Sequence, residues 1–409
     1  MAVIVQKFGG TSVADPEKIR RCAARTKAAR EAGHDVVVVV SAMGHTTDHL
    51  LELAADVSTS PSRRELDMLL ATGEQVSIAL MAMSLQSMGV EAHSMTGGQL
   101  GVHTDDVHTR ARIRGIDAER LRTQLAKGRV VVAAGFQGVT DSGEITTLGR
   151  GGSDTTAVAL AAALGVGEDG GMCEIYTDVD GVYTADPRLV PHACRLDRIS
   201  YEEMLELASL GAGVMHNRAV MFGQKFDVPI HVRHSGKPDA GTMIVKETPE
   251  MEERAVIGCA LKQDLGRVSL RRVPNAPGVQ AQIFRHISEA NIVVDDIMQT
   301  EYGEMANISF TVDHADLSDV KVAAGRALES LGTGELAVEI GLSKVSAVGV
   351  GMRTQTGVAT QMFHVIGEAG IPINNITTSE IKISCILPRQ YGEPALRLVH
   401  DAFGLGSPE

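Results

Sequence analysis

The chain has 409 residues, of which 44% are hydrophobic, 22% are charged and only 3% are aromatic, and its formal net charge is −13. This length exceeds what one hydrophobic core supports, so we expect two or three domains. The acidic balance argues against a protein that binds nucleic acid or anionic membranes, and the longest apolar runs are too short to span a bilayer.

The chain opens with an apolar strand, Val3–Val5, which runs into Lys7-Phe8-Gly9-Gly10-Thr11-Ser12 before a helix predicted at Pro16–Ala32. A strand that ends in paired glycines and leads to a helix presents backbone N–H groups at the turn, where the helix N-terminus adds partial positive charge. Lys7 places a full charge beside them. The pattern favours a phosphate site, although such turns are purely structural in many proteins. It differs from a P-loop, whose lysine follows the glycines.

The rest of the first half alternates buried-type strands with helices. We predict strands at Val36–Val40, Val130–Ala134, Cys173–Thr177 and Pro229–Arg233, and helices at Leu50–Ala55, Gly73–Met88, Asp154–Leu164 and Tyr201–Leu210. Continuous β-branched runs separated by helices are typical of a parallel sheet covered on both faces. Residues 1–245 are therefore expected to form a three-layer α/β domain with a mostly parallel sheet.

Two polar segments of this region are candidate ligand-binding loops. Ser41 and Thr47 place hydroxyl groups in the loop that follows the valine strand. Glu74 is predicted to lie in the first turn of a helix that opens at Gly73, a position where an acid is often only a helix-capping residue.

The strongest local signal is Gly149-Arg150-Gly151-Gly152-Ser153-Asp154, in which Ser153 and Asp154 are predicted to cap a long helix. Arg150 lies among three glycines, where a carboxylate or phosphate can approach its guanidinium with two hydrogen bonds. A solvated arginine in an ordinary loop is the alternative. A second loop, Thr177–Arg188, is acidic and directly follows a strand, where ligands of open α/β sheets collect, although a surface turn would look similar.

The second half contains an internal repeat. Pro277–Ile297 aligns with Thr356–Ile376 at an offset of 79 residues, with nine identical positions and no gap. Each copy is predicted to contain a turn, an amphipathic helix and a strand, and strands at Arg267–Arg271 and Lys344–Val350 precede the two copies. We therefore expect a linker and first regulatory strand at residues 246–263, followed by two α+β modules at 264–340 and 341–409.

With these motifs placed, the chain resembles the aspartate kinases of the monofunctional bacterial type, within the amino acid kinase superfamily. The resemblance covers essentially the whole chain and is carried by the motifs that begin at Lys7, Ser41, Leu148 and Tyr176, while the repeated unit resembles the ferredoxin-like ACT regulatory module. It implies transfer of the γ-phosphoryl group of ATP, with Mg²⁺, to the β-carboxylate of L-aspartate. The product, 4-phospho-L-aspartate, leads to lysine, threonine, methionine and diaminopimelate. A carboxylate nucleophile is already ionised at neutral pH, so no general base is expected.

The resemblance also implies roles for single residues, with Lys7 and Asp154 acting on the transferred phosphoryl group. The residues implied to bind aspartate are Ser41, Thr47, Glu74, Arg150, Gly151, Gly152 and Ser153. Those implied to bind the nucleotide are Lys7, Phe8, Gly9, Gly10, Thr177, Asp178, Tyr183 and Arg188. The protein ligands of Mg²⁺ are left unassigned. The chain departs from its relatives at Gly213, where the family usually has a lysine that contributes to the nucleotide site.

For regulation, the ACT resemblance implies that threonine, lysine or both bind where two modules pair. The implied positions are Asn275, Gly278, Gln299, Asn374, Asn375 and Ile376. Asn275, Thr354 and Gln355 differ from the usual pattern and leave the effector open. Pairing needs a second subunit, so we expect a homodimer or larger assembly, and Met251 falls where some relatives start a separate regulatory subunit. Five scattered cysteines without a CxxC pair are typical of a reduced, cytoplasmic protein.

Two alternatives stay open. Another amino acid kinase, acting on acetylglutamate, glutamate or UMP, would lack the tandem ACT modules, and Arg150 with Glu74 better suits a free amino acid. An amino-acid-sensing protein with a degenerate kinase domain is the second alternative. The intact Lys7, Arg150 and Asp154 argue against it, whereas Gly213 keeps it open.

Overall fold

The computed structural model describes residues 2–167, 170–210 and 214–406. They divide into two compact units, one of Met1–Tyr183 with Arg195–Met251 and the other of Thr184–Cys194 with Glu252–Glu409. The division differs from the predicted domain limits chiefly at residues 184–194. This segment belongs to the second unit because Ala185 and Val190 are buried in its hydrophobic core. The predicted limits at residues 245, 263 and 340 stay predictions.

The first unit consists of a large sheet, a small sheet and seven α-helices among its described residues. In chain order its elements are β1 (Val3–Phe8), α1 (Pro16–Glu31), β2 (Asp35–Val40), α2 (Thr46–Val57), α3 (Arg63–Ser87), β3 (Ala92–Met95), β4 (Val102–Thr104), β5 (Ile113–Ile116), α4 (Glu119–Ala126), β6 (Val130–Ala134), β7 (Gln137–Val139), β8 (Ile145–Thr147), α5 (Gly152–Leu164), β9 (Met172–Thr177), β10 (Arg198–Ser200), α6 (Tyr201–Ser209), α7 (Asn217–Phe226), β11 (Ile230–His234) and β12 (Thr242–Val245). A short 3-10 helix, Gly10–Val13, follows β1.

The large sheet has eight strands in the order β10-β12-β11-β9-β1-β2-β6-β3, and its described pairs are parallel except for β11 with β12. The predicted three-layer, mostly parallel α/β domain is confirmed. The valines of β2 are fully buried, as expected for a strand covered on both faces. The central strand β1 has β2 on one side and β9 on the other. The strands that flank β1 therefore diverge to opposite sides of it. The carboxyl end of such a central strand is where open α/β sheets bind ligands.

Three predicted helix starts are wrong in detail. Helix α2 begins at Thr46, before the predicted Leu50, so Thr47 lies in its first turn and not in the preceding loop. Helix α3 begins at Arg63, ten residues before the predicted Gly73, because the Ser62 side chain accepts a hydrogen bond from the Glu65 N–H and caps the helix there. Glu74 therefore lies in the middle of a long helix. Helix α5 begins at Gly152 after Gly151, whose φ of 68° suits a glycine cap, so Ser153 and Asp154 lie inside the first turn.

Helix α3 is long and apolar enough to cross a membrane on length and composition alone. However, 56% of its apolar window is buried inside the first unit, where Ile78, Met81 and Leu85 pack in the hydrophobic core. This burial is the arrangement expected for a core helix.

The second unit has one antiparallel sheet of six strands with helices packed on it. Its main elements are β13 (Gly258–Pro274), α8 (Val279–Glu289), β14 (Asp295–Tyr302), β15 (Met305–Asp313), α9 (Leu317–Leu331), β16 (Glu335–Val348), α10 (Val358–Glu368), β17 (Asn375–Thr378), β18 (Lys382–Pro388) and α11 (Gly392–Ala402). Short 3-10 helices lie at Pro249–Glu253, which straddles the two units, and at His314–Asp316, Val350–Arg353 and Arg389–Tyr391.

The two repeats share this sheet, whose order is β14-β15-β13-β16-β18-β17. Residues 258–262 of β13 pair with residues 344–348 of β16, and residues 267–271 pair with residues 335–339. Both long strands therefore take part in both modules. One half of each strand packs on the core under α8 and α9, and the other half packs on the core under α10 and α11. The predicted equivalence of the repeats is confirmed at their helix caps, Gly278 with φ 92° and Gly357 with φ 91°.

Candidate active site

A cleft of about 290 Å³ opens at the carboxyl ends of β1 and β2. Eleven predicted site residues line it: Lys7, Gly9, Gly10, Ser41, Thr47, Glu74, Arg150, Gly151, Gly152, Ser153 and Asp154. Ala42, Gly44, Phe136 and Gly149 also line it and were not predicted. The volume is at the lower end of the range for small-molecule sites. The fold thus joins segments that are far apart in the chain, because the carboxyl ends of parallel strands meet at one edge of the sheet.

Lys7 and Asp154 form an ion pair in this cleft. Lys7 lies near the end of β1, and its Nζ is 2.6 Å from Oδ1 of Asp154 in the first turn of α5. The two side chains are 11% and 14% exposed, so the pair is shielded from bulk water but reachable from the cleft. The N-terminus of α5 contributes partial positive charge at the same place. This end of the cleft is suited to a polyanion despite the acidic balance of the chain.

The glycine turn after β1 lies directly against the loop after β2. A Cβ on Gly10 would be 2.8 Å from the Ala42 carbonyl oxygen and 3.2 Å from that of Gly44, so a larger residue would displace one loop. The Gly44 N–H donates to the Gly10 carbonyl oxygen at 3.0 Å and ties the loops together. Close backbone approach explains the second glycine of the motif.

The first glycine and the preceding phenylalanine are less open than the sequence pattern indicates. The Gly9 N–H is directed at the Tyr176 carbonyl oxygen, 3.4 Å away, and is therefore partly engaged by the neighbouring strand β9. The Phe8 ring is fully buried and stacks on Tyr176 with 4.8 Å between ring centroids. Phe8 does not line the cleft, so its predicted contact with the nucleotide is wrong: the whole residue is buried against β9.

Glu74 places a buried carboxyl group in the cleft. It is only 3% exposed; Oε1 accepts a 2.9 Å hydrogen bond from the Ala42 N–H, whereas Oε2 has no hydrogen-bond partner among the described residues. Burial raises the pKa of the carboxyl group from its ordinary 4.5 to about 7, and the Ala42 N–H only partly opposes this. The glycine at position 73 lets helix α3 lie close to Ala42, because a Cβ there would be 2.8 Å from the Ala42 side chain. An unpaired buried carboxylate oxygen suits a cationic ligand.

Arg150 lies in a loop built by glycines in the left-handed region, with φ 75° at Gly149 and 68° at Gly151. Its side chain lines the cleft, is exposed and forms no hydrogen bond or ion pair with any residue that the structure describes. A cation that faces a cleft without a carboxylate partner is available to an anionic ligand.

Two residues that the sequence reasoning missed hold this loop in place. A Cβ on Gly151 would be 2.3 Å from the His216 side chain, so the loop lies directly on that ring. The Arg218 guanidinium donates to the carbonyl oxygens of Leu148 at 2.7 Å and Ala111 at 3.0 Å. Burial, followed by the charge of Arg218, lowers the pKa of His216, which keeps the imidazole neutral at pH 7.

Phe136 is a third residue that was missed. Its φ of 70° is unusual for an aromatic residue, and its ring limits Gly152, where a Cβ would lie 2.8 Å away. The conformation is held by two hydrogen bonds: the Phe136 N–H donates to Thr156 Oγ1 at 3.1 Å, and its carbonyl oxygen accepts from the Leu148 N–H at 2.8 Å. Such strain is often found at ligand sites.

The predicted nucleotide residues are only partly brought together. Thr177 is the last residue of β9, the neighbour of β1, and Asp178 and Tyr183 follow it, but none of the three lines the cleft. The Thr177 hydroxyl donates to Asp178 at 3.1 Å, and the Tyr183 hydroxyl donates to Asp180 at 2.9 Å. Arg188 lies in the second unit and forms an ion pair with Asp186 at 2.6 Å. Its role in nucleotide binding stays a prediction, and Gly213 lies outside the described residues.

The predicted regulatory positions lie at the two edges of the second unit's sheet. Gln299 lies on edge strand β14, where its side chain accepts from Gln280 at 2.8 Å and donates to Glu301 at 3.2 Å. Asn275 and Gly278 precede α8 in the same repeat. In the other repeat, Asn374 donates to Glu339 at 3.0 Å next to the opposite edge strand β17, which contains Asn375 and Ile376. The Thr377 hydroxyl on β17 donates to Asp296 on β14 at 3.0 Å, so the two edge strands are in contact within one chain.

Comparisons with known protein families match both units. Residues 2–234 match the model of the amino acid kinase family, and residues 345–403 match an ACT domain model. The chain is 49% identical over 411 residues to an aspartate kinase of Stutzerimonas stutzeri, with 100% of this chain and 98% of the relative covered. It is 48% identical over 405 residues to aspartokinase 2 of Bacillus subtilis, with 99% and 98% covered.

Solved structures give the same result. The chain is 26% identical to Escherichia coli aspartokinase III in complex with aspartate and ADP, with a TM-score of 0.80 and coverage of 98% of this chain and 99% of that one. The same enzyme in complex with lysine and aspartate gives a TM-score of 0.76 at 26% identity, with 98% and 99% covered. The two complexes are described as the R-state and the T-state, respectively.

Proposed function

The chain belongs to the aspartate kinases of the amino acid kinase family, and we propose that it transfers the γ-phosphoryl group of ATP to the β-carboxylate of L-aspartate. The products are 4-phospho-L-aspartate and ADP, and the reaction is the first step toward lysine, threonine and methionine. The observation that carries this proposal is that Lys7, Glu74 and Arg150 line one cleft. That arrangement supplies a cation for a phosphoryl group together with a cation and an acid for a free amino acid.

Aspartate is recognised by charge complementarity at the two unpaired groups of the cleft. Oε2 of Glu74 accepts a hydrogen bond from the substrate ammonium group, which supplies the partner that this buried oxygen lacks. The Arg150 guanidinium holds the α-carboxylate with two parallel hydrogen bonds. Ser41, Thr47 and Ser153, which line the same cleft, complete the pocket with hydroxyl groups. These contacts leave the β-carboxylate free to face the phosphoryl group.

The chemical step needs positioning and charge neutralisation. The attacking carboxylate is ionised at neutral pH, so no residue has to remove a proton. Lys7 and the N-terminus of α5 stabilise the negative charge on the transferred group, and Asp154 holds the Lys7 ammonium group in place through the 2.6 Å ion pair. The shielding of both side chains strengthens this electrostatic effect.

ATP enters with Mg²⁺, which when bound neutralises charge on the phosphate oxygens. Mg²⁺ in kinases needs only one or two protein carboxylates besides phosphates and water. The loop after β9 would supply one such carboxylate, because the exposed Asp178 follows β9 directly. The backbone of Gly9 and Gly10, with Thr177, Asp178 and Tyr183, is proposed to hold the nucleotide.

Regulation is proposed to act through the ACT modules, with lysine, threonine or both as feedback inhibitors. The edge strands β14 and β17 carry the exposed apolar side chains of Ile297, Tyr302 and Ile376. Edges of this kind favour pairing with a second copy. We therefore propose a homodimer or larger assembly.

An internally started subunit at Met251 would begin where the second unit resumes. The five free cysteines support a cytoplasmic location.

A coupled ADP-release assay tests the proposal. Purified protein with MgATP is offered aspartate, glutamate, acetylglutamate or UMP, and turnover with aspartate alone is expected. Repeating the assay with lysine and threonine, singly and together, identifies the effector. Turnover with none of these acceptors would overturn the enzymatic assignment and favour an amino-acid sensor, whereas turnover only with another acceptor would place the chain in a different branch of the family.

A further inference from the structure

Three side chains in the second unit form a cluster that the proposed function does not use. His192 lies in the segment 184–194, whereas His400 and Asp401 lie at the end of α11. His192 Nε2 is 2.6 Å from Asp401 Oδ1, and His400 Nδ1 is 3.7 Å from the same oxygen. The ligand atoms that the three side chains can offer lie within 4.8 Å of one another.

The hydrogen bonds around Thr184 favour one tautomer of His400. The Thr184 hydroxyl lies 3.2 Å from the Leu405 carbonyl oxygen, which can only accept, so the hydroxyl can donate its single proton there. The same oxygen accepts from the Cys194 N–H at 3.0 Å and lies 2.9 Å from His400 Nε2. All three contacts of Thr184 Oγ1 are hydrogen bonds at the same time only when Nε2 of His400 is the donor, and we assign the tautomer on that basis. In the neutral imidazole, Nδ1 therefore carries a lone pair.

That lone pair is buried without a donor. His400 is 0% exposed, and its Nδ1 has no hydrogen-bond partner among the residues that the structure describes. It faces the side where the His192 and Asp401 side chains meet, and both of these are about half exposed. An unsatisfied buried acceptor is costly, and it is rare unless an ion or ligand uses it.

We propose that His192, His400 and Asp401 form a binding site for a divalent transition-metal ion, with Zn²⁺ as the best fit. Two imidazole nitrogens and one carboxylate oxygen are a ligand set that Zn²⁺ prefers and that Mg²⁺ and Ca²⁺ do not. Tetrahedral Zn²⁺ places such atoms roughly 3.4 Å apart. The separations of 2.6 and 3.7 Å to Asp401 lie on either side of that value, and all three ligand atoms lie within 4.8 Å of one another, so side-chain rotations bring them into place.

The surroundings match those of a metal ligand. Metal-bound histidines usually donate their other ring N–H to an oxygen that orients the ring, and Thr184 Oγ1 accepts in this way from His400. On the other side, Gly406 lies against His192, where a Cβ would be 2.6 Å from the ring. With three protein ligands the ion keeps a fourth position for water. The bound ion fastens the segment 184–194 to helix α11 and so stabilises the fold of the second unit.

The test compares Zn²⁺ binding to the full chain and to two ligand variants, after removal of metals with a chelator. His400→Gln keeps a side-chain N–H that can reach Thr184 but removes Nδ1. Asp401→Asn keeps an acceptor for His192 but removes the charge. The matched control is His364→Ala, which removes an exposed histidine of the same unit that also lies near a carboxylate, Glu368, at 3.4 Å. Zn²⁺ affinity and stoichiometry are measured by competition with a chromophoric chelator, and thermal unfolding is recorded with and without Zn²⁺.

The wild-type chain and His364→Ala are expected to bind one Zn²⁺ each and to unfold at a higher temperature when it is present. Both ligand variants are expected to bind at least about tenfold more weakly and to lose that rise. Equal Zn²⁺ affinity in the wild-type chain and both ligand variants would overturn the proposal, as would a wild-type chain that binds no Zn²⁺. If His400→Gln unfolds without metal, Asp401→Asn alone decides. These readouts do not depend on kinase turnover, so failure here is distinguishable from failure of the proposed function.

Discussion

Replacing Glu74 with glutamine tests the recognition of the substrate ammonium group. The pKa of about 7 means that roughly half of the Glu74 carboxyl groups are neutral at pH 7 and roughly 90% at pH 6. An ammonium ion needs the ionised form. The kcat/KM for aspartate is therefore expected to fall about tenfold from its plateau above pH 8 to pH 6. In Glu74→Gln the loss of a hydrogen bond between charged groups costs about 1.5–3 kcal/mol, or roughly 10- to 150-fold at pH 8.

The assay is coupled ADP release between pH 6 and 8.5, at saturating MgATP and varied aspartate. At each pH the kcat/KM of the wild-type chain is divided by that of Glu74→Gln, so that titration of the nucleotide and of other enzyme groups cancels. This ratio should shrink about tenfold from pH 8 to pH 6, because only the wild-type chain loses a charge. A ratio that is constant over this range would refute the argument that a carboxyl group with a pKa near 7 binds the ammonium group.

The raised pKa of Glu74 also predicts how the stability of the fold depends on pH. A folded-state pKa of about 7 against an ordinary 4.5 means that the native chain binds more protons between these pH values, so this group lowers stability as pH rises through that window. Keeping the carboxylate ionised above pH 7 costs as much as about 3 kcal/mol. Glu74→Gln should therefore raise the unfolding temperature at pH 8 and leave it nearly unchanged at pH 4.5, as measured by calorimetry without substrate.

Three further substitutions test other parts of the argument. Lys7→Met should lower kcat by about 100-fold or more with little change in KM for aspartate; near-normal turnover in a folded variant would remove Lys7 from the mechanism. Arg150→Lys keeps the charge but loses the planar pair of donors, so KM for aspartate should rise about tenfold with kcat maintained, and an unchanged KM would exclude the clamp. In the second unit Lys344 is 1% exposed and lies 3.0 Å from Asp296. Lys344→Met should lower the free energy of unfolding by about 3–5 kcal/mol in urea titrations, since it leaves the buried Asp296 carboxylate without a counter-ion, and adding Asp296→Asn should recover part of it.

The main sheet of the first unit could be predicted because its strands are continuous apolar runs. The five valines of β2 leave little alternative to a strand buried on both faces. The strands of the small sheet have only three or four residues and a mixed composition, so no period separates them from loops. The start of α3 was missed because its first turns, from Arg63 to Asp67, carry many charges and show no apolar stripe.

The cleft residues that belong to glycine motifs could be predicted, whereas those that support them could not. Arg150 and Asp154 lie in a sequence pattern that itself signals a ligand loop. His216 and Arg218 act on that loop from a distant helix, and Arg218 does so by donating to backbone carbonyl oxygens, which every residue type offers. A hydrogen bond to a backbone carbonyl oxygen does not require a particular residue type at the acceptor, so the sequence does not reveal it. The tautomer of His400 was beyond sequence reasoning for the same reason, since it depends on three groups brought to Thr184 by the fold.

Two features that the sequence did not reveal, the deep burial of Glu74 and the backbone conformation of Phe136, cost the fold stability. Glu74 is buried with one oxygen unpaired, and Phe136 adopts a backbone conformation that aromatic residues rarely take. Rules that read structure from sequence assume locally favourable choices, so they fail where the fold maintains unfavourable ones. A ligand whose ammonium group pairs with Glu74 removes one of these costs on binding. Aspartate should therefore stabilise the wild-type chain at pH 8 by more than it stabilises Glu74→Gln, because binding and folding draw on the same buried charge.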